Sequence, residues 1–434
     1  MTSRRHILLL GMQFPPARGS GVYRIRAWAN HLAARGHDVT VLAASRQYWH
    51  DLSGDLDEEL AARTHPRVSV VEMDLPREHL VQDVARMSFV HANFPRAYLL
   101  AHQALQRKVF PEPYAPMLPT FVLQGLKVHR LKPVDLILST GNPYAQYGAA
   151  MILGRLIRRP YVVDYHDPWT LDLWQEEDAF PPGHLAHRWE RRIIDGAARI
   201  ITVNQPLVDW YQARYPEAAG RVRLVENGLA PDTVTEPPFS PVGDRPLRVG
   251  FLGTIRNDLP LAEFLDGWEL AQQSPELAGA SMNFYGYLGF FRQHANGILQ
   301  RLTRSEDQRV KWHGPVSQTK VSEVLGSLDV MAMLLTSSRY VTAGKGFDYM
   351  ASGRPVVGVH DPRNDTTTLF KNYPLFFGAR EVTAEAIASA LVEGARAARA
   401  ETVAEFRACR AEALKHTWDA AIAPVADEFE ELMR

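Results

Sequence analysis

Two cations stand at the ends of apolar runs in this sequence, each beside glycines. The stretch 342–358, "TAGKGFDYMASGRPVVG", sets Lys345 between Gly344 and Gly346, so that backbone N–H groups and an ammonium would meet one anion together. Residues 347–352 read as a short helix that Gly353 ends, and a β-branched run follows from Pro355. This is not a P-loop: the Gly-x4-Gly-Lys-Ser/Thr spacing is missing and Gly346 follows the lysine. Upstream, "GFLGTIRND" at 250–258 places Arg256 just past another apolar run. A diphosphate asks for two converging cations. Asp348, one turn into the short helix, is suited to accept hydrogen bonds from ribose hydroxyls. An isolated Gly-Lys-Gly is more often a plain surface turn, so the elements around it decide.

Those elements alternate. "HILLL" is an apolar strand, "PPARGSG" a loop, and "VYRIRAWANHLAARG" an amphipathic helix with Val22, Ile25, Trp28, Ala29 and Leu32 on one face. Further strands follow at "DVTVLAA", "VSVVEM", "VDLILST", "YVVDYHD", "RIITVN" and "VRLVENG", with helical patterns between most of them. Near-continuous apolar runs of this kind belong to parallel sheets covered on both faces. Residues 229–246 hold five prolines and no period, which marks a linker. The alternation then restarts at "LRVGFLG", "SMNFYGY", "RVKWHG", "DVMAMLL" and "PVVGVHD". The expected fold is therefore α/β, with two Rossmann-like doubly wound domains facing across a cleft. Their expected bounds are 1–235 and 236–415, and an amphipathic helix over 416–434 should cross back to the first domain. Residues 78–130 fit the alternation poorly. Their aromatic and basic residues at helical spacing read as a helical insertion, with acceptor binding or membrane contact as the alternative.

Composition narrows the classes. At 434 residues the chain is long enough for two cores, and 46% hydrophobic with 22% charged residues is ordinary for a globular enzyme. A formal net charge of -1 gives no electrostatic reason to expect nucleic acid. The single cysteine, Cys409, excludes an intramolecular disulfide and a cysteine-built metal cluster, and suits a reducing compartment. No apolar stretch is long enough to span a bilayer, and no signal-peptide cleavage pattern follows "HILLL". The expectation is a cytoplasmic protein that at most touches a membrane surface. The oligomeric state is left open.

In open parallel sheets, ligands sit beyond the carboxyl ends of the strands. From the first half that rule collects Gly19 and Gly21 in the loop after the first strand, Asn142 in "STGNP", and His166 and Asp167 in "DYHDPW". From the second half it collects Gly253, Thr254 and Arg256, Tyr285 and Gly286, and Tyr340, Lys345, Gly346 and Asp348. The first loop lacks Gly-x-Gly-x-x-Gly, which speaks against a dinucleotide site. Asp167 also reads as a cap, with Pro168 starting a following helix. Adjacent His166 and Asp167 make a poor metal site without further ligands, so none is expected.

The order and wording of these motifs resemble the GT-B glycosyltransferases, most closely retaining family 4. The resemblance runs from "FPPARGSGVYRIRAWANHLAARGHDVTVL" through "DLILSTGNP", "YVVDYHDPW", Asn227-Gly228 and "VGFLGTI" to "GKGFDYMASGRPVV". It implies a nucleotide-sugar donor, UDP- or GDP-linked, on the C-terminal domain and an acceptor on the N-terminal one. No separate cofactor or metal is implied. Lys345 stands at the family's phosphate-binding lysine and Arg256 at the cation after the first C-terminal strand. Asp348 takes the place of the second Glu of Glu-x7-Glu, which contacts ribose, and Tyr340 replaces the first, which holds the sugar. The resemblance also places His166 beside the donor sugar. His166, Arg256 and Lys345 are thus the expected catalytic residues. Gly19, Gly21, Gly253, Thr254, Tyr285, Gly286, Gly346 and Asp348 should bind the donor. Asp167, Asn142 and Tyr340 should touch acceptor or sugar. The implied activity is retaining transfer of a sugar to a hydroxyl or amine of a small-molecule, lipid-linked or glycan acceptor. The alternatives are a non-catalytic homologue acting as a binding partner, or an epimerase or hydrolase of the same fold.

Overall fold

Short runs of Leu, Ile and Val bury all their side chains only when both faces of a sheet are covered, and the first strand does this completely: β1 (His6–Leu10) is buried at every position. The structure is a computed structural model. It describes residues 4–434 apart from 54–55, 76–92, 105–107, 231–237, 257, 290–291, 305–308, 317–319, 337 and 343. Parts of the expected insertion (78–92 and 105–107) and of the expected linker (231–237) lie outside the described residues.

The chain divides into two compact units, 1–226 with 421–434, and 227–420. In the first, β1, β2 (Asp38–Ala44), β3 (Val68–Met73), β4 (Leu136–Thr140), β5 (Tyr161–Tyr165), β8 (Arg199–Thr202) and β9 (Val222–Leu224) form one sheet. Its order is β3-β2-β1-β4-β5-β8-β9, and every pairing in it is parallel. The two-residue strands β6 (Leu171–Asp172) and β7 (Glu177–Asp178) make a separate antiparallel hairpin after β5. The expected helix start at Pro168 is therefore corrected: the chain turns into this hairpin, and the next helix begins only at Leu185. The first helix, Ser20–Ala34, buries Val22, Ile25, Trp28, Ala29 and Leu32, the face its spacing sets apart. Gly36, at φ 98°, lets the chain turn into β2.

The second unit repeats the plan. Strands β10 (Arg248–Leu252), β11 (Ser281–Tyr285), β12 (Val310–Trp312), β13 (Val330–Leu334), β14 (Val356–Val359) and β15 (Phe376–Gly378) form a parallel sheet in the order β12-β11-β10-β13-β14-β15. In each sheet the chain steps outward from its first strand and then returns to build the other side. The loops after β1 and β4, and those after β10 and β13, therefore diverge and open a crevice.

The expected boundary at 235/236 falls too late. Leu229 already belongs to the second unit, where its N–H donates to the His416 carbonyl at 2.8 Å and its carbonyl accepts from the Trp418 N–H at 3.1 Å. Residues 238–246 are not a free connector either. Val242 is buried in the second core, and the Ser240 carbonyl accepts from Arg354 at 2.9 Å. The last helix, Trp418–Leu432, belongs to the first unit from Ala421 onward. There Phe429 stacks on Trp28 at 5.5 Å, and Ile422 and Val425 are buried.

Candidate active site

At the crevice of the first unit lies a cavity of about 130 Å³ lined by Gln13, Ser20, Gly21, Arg24, Ile25, Thr140, Gly141, Asn142, His166 and Asp167. Four of the residues picked from sequence, Gly21, Asn142, His166 and Asp167, therefore share one pocket. Asn142 Nδ2 donates to Asp167 Oδ2 at 3.1 Å, and His166 Nδ1 lies 3.7 Å from the same oxygen. A side chain at Gly21 would press on the Gln13 amide, with Cβ only 2.8 Å from Oε1. Gly19 is not among the lining residues. Its φ of 150° is open only to glycine, and it admits the chain to the first helix.

The floor of the pocket is built from charges that sequence reasoning passed over. Arg24 and Asp164, 2% and 0% exposed, are joined by a fork: Nε to Oδ2 at 2.8 Å and Nη2 to Oδ1 at 2.6 Å. Thr140 Oγ1 and Trp28 Nε1 also donate to Asp164 Oδ2, at 2.6 and 3.0 Å. A buried ion pair needs such full hydrogen bonding to offset its desolvation. The available signal was a charge inside each apolar pattern, Asp164 within "YVVDY" and Arg24 within the helix face. Glu112 is a second omission. Its carboxylate accepts from the N–H groups of Tyr144 and Ala145 at 2.6 and 2.5 Å, closing the helix Ala145–Ile157 that follows the Asn142 turn. Burial pushes its acid up to about 8, against the pull of those two N–H bonds.

In the second unit the strand-end loops are laced together by their backbones. The N–H of Gly253 donates to Tyr285 O at 2.9 Å, Ile255 to Tyr287 O at 2.8 Å, and Gly286 to Gly314 O at 2.8 Å. Gly286 has φ 137°, and a Cβ there would overlap the Gly253 carbonyl. These two glycines thus let one loop lie directly on another. Thr254 is half-buried in the same turn. Tyr285 stacks on His313 at 4.5 Å, and His313 Nε2 meets Asn283 Oδ1 at 2.9 Å.

Lys345 and Gly346 begin the helix Gly346–Ala351, which a residue missed from sequence holds in place: the Tyr349 hydroxyl accepts from Leu252 N at 2.7 Å and donates to Leu252 O at 3.1 Å. That bond fastens the helix to the carboxyl end of β10. With only six residues its dipole is small, so anion attraction there rests on the Lys345 ammonium. Lys345 and Arg256 lie at the carboxyl edge of this sheet, on loops after β13 and β10. Each is half-exposed and paired within its own loop. Lys345 Nζ lies 3.3 Å from Asp348 Oδ2, and Arg256 forks onto Asp258, Nε to Oδ1 at 2.8 Å. Tyr340 is buried. Its hydroxyl accepts from Arg339 Nη2 at 2.8 Å while the same guanidinium lies 4.8 Å from its ring centre. Asn364 Nδ2 steadies this loop by donating to Ser338 O and Val341 O.

Residues 19–228 match a family described as the glycosyl transferase 4-like domain. Over its whole length the chain is similar in structure to a glycosyltransferase from Rickettsia africae, with TM-score 0.67 and 12% identity over 100% of this chain and 99% of that one. The fold is GT-B. Sucrose-phosphate synthase from Thermosynechococcus elongatus follows at TM-score 0.64 and 16% identity, covering 99% of both chains. Anabaena HepE in complex with UDP and glucose gives 0.63 and 16%, over 99% of this chain and 100% of that one. No curated protein sequence matches the chain significantly. The matched family segment ends at Gly228, the second residue of the second unit, while the structural likeness covers both units. Fold and family match together support glycosyl transfer. Among the described residues no group of three or more His, Cys, Asp or Glu side chains is placed to hold a metal ion, and no helix is long and apolar enough to cross a membrane.

Proposed function

We propose that the protein transfers a sugar, with retention at the anomeric carbon, from a uridine or guanosine diphosphate donor to a hydroxyl or amine of an acceptor. The observation that carries this reading is the pair of half-exposed cations, Arg256 and Lys345, at the carboxyl edge of the second sheet. Each is held by a carboxylate on its own loop, which a phosphate can replace. The UDP and glucose held by HepE support a uridine nucleotide. In the reaction the bond between anomeric carbon and β-phosphate oxygen breaks, and its electron pair leaves on that oxygen. Arg256 and Lys345 stabilise the charge that develops there. The acceptor oxygen or nitrogen forms the new bond, and its proton passes to the departing phosphate. No step requires a metal or a separate cofactor. Asp348 would accept from the ribose, and the first-unit pocket with His166, Asp167 and Asn142 would serve sugar or acceptor.

Tyr340 favours a second reading, a homologue that binds the nucleotide without turnover. Where the family has a sugar-holding carboxylate, this chain has a buried ring beneath Arg339. A thermal-shift series with UDP, GDP and their sugar conjugates tests both. A ligand at about 100 times its Kd adds roughly 2.7 kcal/mol of stability. Stabilisation by a nucleotide without sugar release or transfer selects the second reading, and no response to any nucleotide removes both.

A further inference from the structure

The turn that carries His166 and Asp167 is held from behind by an acid that the proposed chemistry does not use. Glu190, on the helix Leu185–Gly196, is fully buried. Its Oε2 accepts from Thr170 Oγ1, and from the Tyr215 hydroxyl at 2.6 Å. The Trp169 N–H steadies the same carboxyl group. Burial raises this acid, and Oε2 has lone pairs for both hydroxyls whether or not Oε1 carries a proton. An acid buried this deep is costly, and an apolar side chain would fill the same place without that cost. Glu190 therefore stands there for the bonds it makes.

Two of those bonds reach one short turn. Residues 166–170 leave β5 and lead into the hairpin of β6 and β7, with Thr170 three residues past Asp167. Three residues span at most about 11 Å, so a shift of Thr170 is passed on to Asp167 and His166. The rest of the turn's frame is firm. The Tyr144 hydroxyl donates to the Pro168 carbonyl at 2.9 Å, and Trp169 stacks on Tyr144 at 5.3 Å and on Phe110 at 5.0 Å. At the start of the turn the His166 N–H donates to Asp164 O at 3.1 Å, and at its end the Thr170 carbonyl accepts from the Ala179 N–H at 2.9 Å. His166 and Asp167 themselves line the cavity, with side chains 25% and 40% exposed. Their place is set less by what covers their side chains than by what holds the backbone between them and Thr170.

We propose that Glu190 is a positioning residue: through Thr170 and the Trp169 N–H, its carboxyl group sets where His166 and Asp167 stand in the pocket of the first unit. This role presupposes the sugar-transfer reading of that pocket and adds to it a residue that touches no substrate. A misplacement of about 1 Å at a reacting centre costs about 10²-fold in rate, so the loss of one such bond should be visible in turnover.

The two hydroxyls on Oε2 supply their own control. Thr170→Val and Tyr215→Phe each remove one hydrogen bond to the same oxygen and keep the buried shape, but only Thr170 belongs to the turn. Both should lower the thermal midpoint by similar amounts. Hydrogen–deuterium exchange at the amides of residues 166–170 should speed about tenfold or more in Thr170→Val, and change by less than about twofold in Tyr215→Phe. With UDP-glucose as the probe, UDP release by Thr170→Val should show kcat lowered about tenfold or more and KM within about twofold, because the nucleotide is held by the Arg256 and Lys345 loops. Thr170→Ser restores the hydroxyl and should return both readouts close to wild type. Glu190→Ala should reproduce the Thr170→Val pattern, and adding Thr170→Val to it should cost little more. If Glu190→Ala does not fold, the Thr170 and Tyr215 pair still decides.

Equal effects of Thr170→Val and Tyr215→Phe on the turn overturn the proposal. Faster exchange with unchanged kcat also overturns it, because the bond then serves stability alone. A wild type that releases no UDP counts against the sugar-transfer reading, whereas wild-type exchange in Thr170→Val counts against Glu190, so the two failures are told apart.

Discussion

The two crevices of this chain are built from the same kinds of charge and use them in opposite ways. At the first, Arg24 and Asp164 are sealed from water and locked into each other by a fork, with Thr140 and Trp28 completing the carboxylate's bonds. At the second, Arg256 and Lys345 are half in water, each beside an acid two or three residues along its own loop. A sealed pair cannot exchange partners, since leaving either charge alone in the interior costs several kcal/mol. An exposed pair is worth little and changes partners freely. The first pair therefore shapes a pocket, and the second is available to a ligand anion.

The largest test of that contrast is Asp164→Ala. It strands the Arg24 guanidinium in the interior and should destabilise the chain by about 3–5 kcal/mol, read as a lowered denaturant midpoint. A loss under about 1 kcal/mol would mean the pair is not sealed. Next come Arg256→Ala and Lys345→Ala. Each should lower turnover by about 10²–10³, equivalent to about 2.7–4 kcal/mol in the transition state, while stability changes by less than about 1 kcal/mol. If stability falls as far as in Asp164→Ala, the two crevices do not differ as described.

Asp348→Ala should weaken nucleotide binding by about 1–3 kcal/mol through ribose hydroxyls left unpaired, measured by calorimetry. Unchanged affinity would make Asp348 only a counter-ion for Lys345. A separate effect comes from pH at the first crevice. The Glu112 acid, raised to about 8 from its ordinary 4.5, keeps its proton in the folded state over a range where the unfolded chain has lost it. Folding then takes up a proton, so stability should fall as pH rises from about 4.5 to about 8 and level off above. The change should be on the order of a few kcal/mol, and denaturant midpoints of Glu112→Gln should lack it. The smallest effect is Tyr340→Phe. It removes one hydrogen bond from Arg339 and should cost about 1 kcal/mol or less in donor affinity. Tyr340→Glu, by contrast, should alter which donor sugar is used and leave the preferred nucleotide unchanged.

Reading along the chain found the strands and first helix because their signals are local. "HILLL" and "DVTVLAA" are continuous apolar runs, and the helix face from Val22 to Leu32 repeats at helical spacing. It found Gly21, Asn142, His166 and Asp167 because strand ends in a parallel sheet share one edge, so chain order is enough to gather them. It set the unit boundary too late because prolines mark where a chain is irregular, whereas Leu229 joins the second unit through bonds to His416 and Trp418, far along the sequence.

By itself, then, the sequence determined the α/β alternation, its restart after the prolines, and which loops carry the candidate cations. Periodicity and turn chemistry act between near neighbours and leave their record in order. Only the tertiary structure decided that Arg24 belongs to Asp164, 140 residues away, that the Tyr349 hydroxyl holds the Lys345 loop to β10, and that Gly286 lies against the Gly253 backbone. It also decided that Leu100 stands exposed. Whether a charge is sealed or a leucine exposed depends on what the rest of the chain lays over it, and no local pattern carries that information.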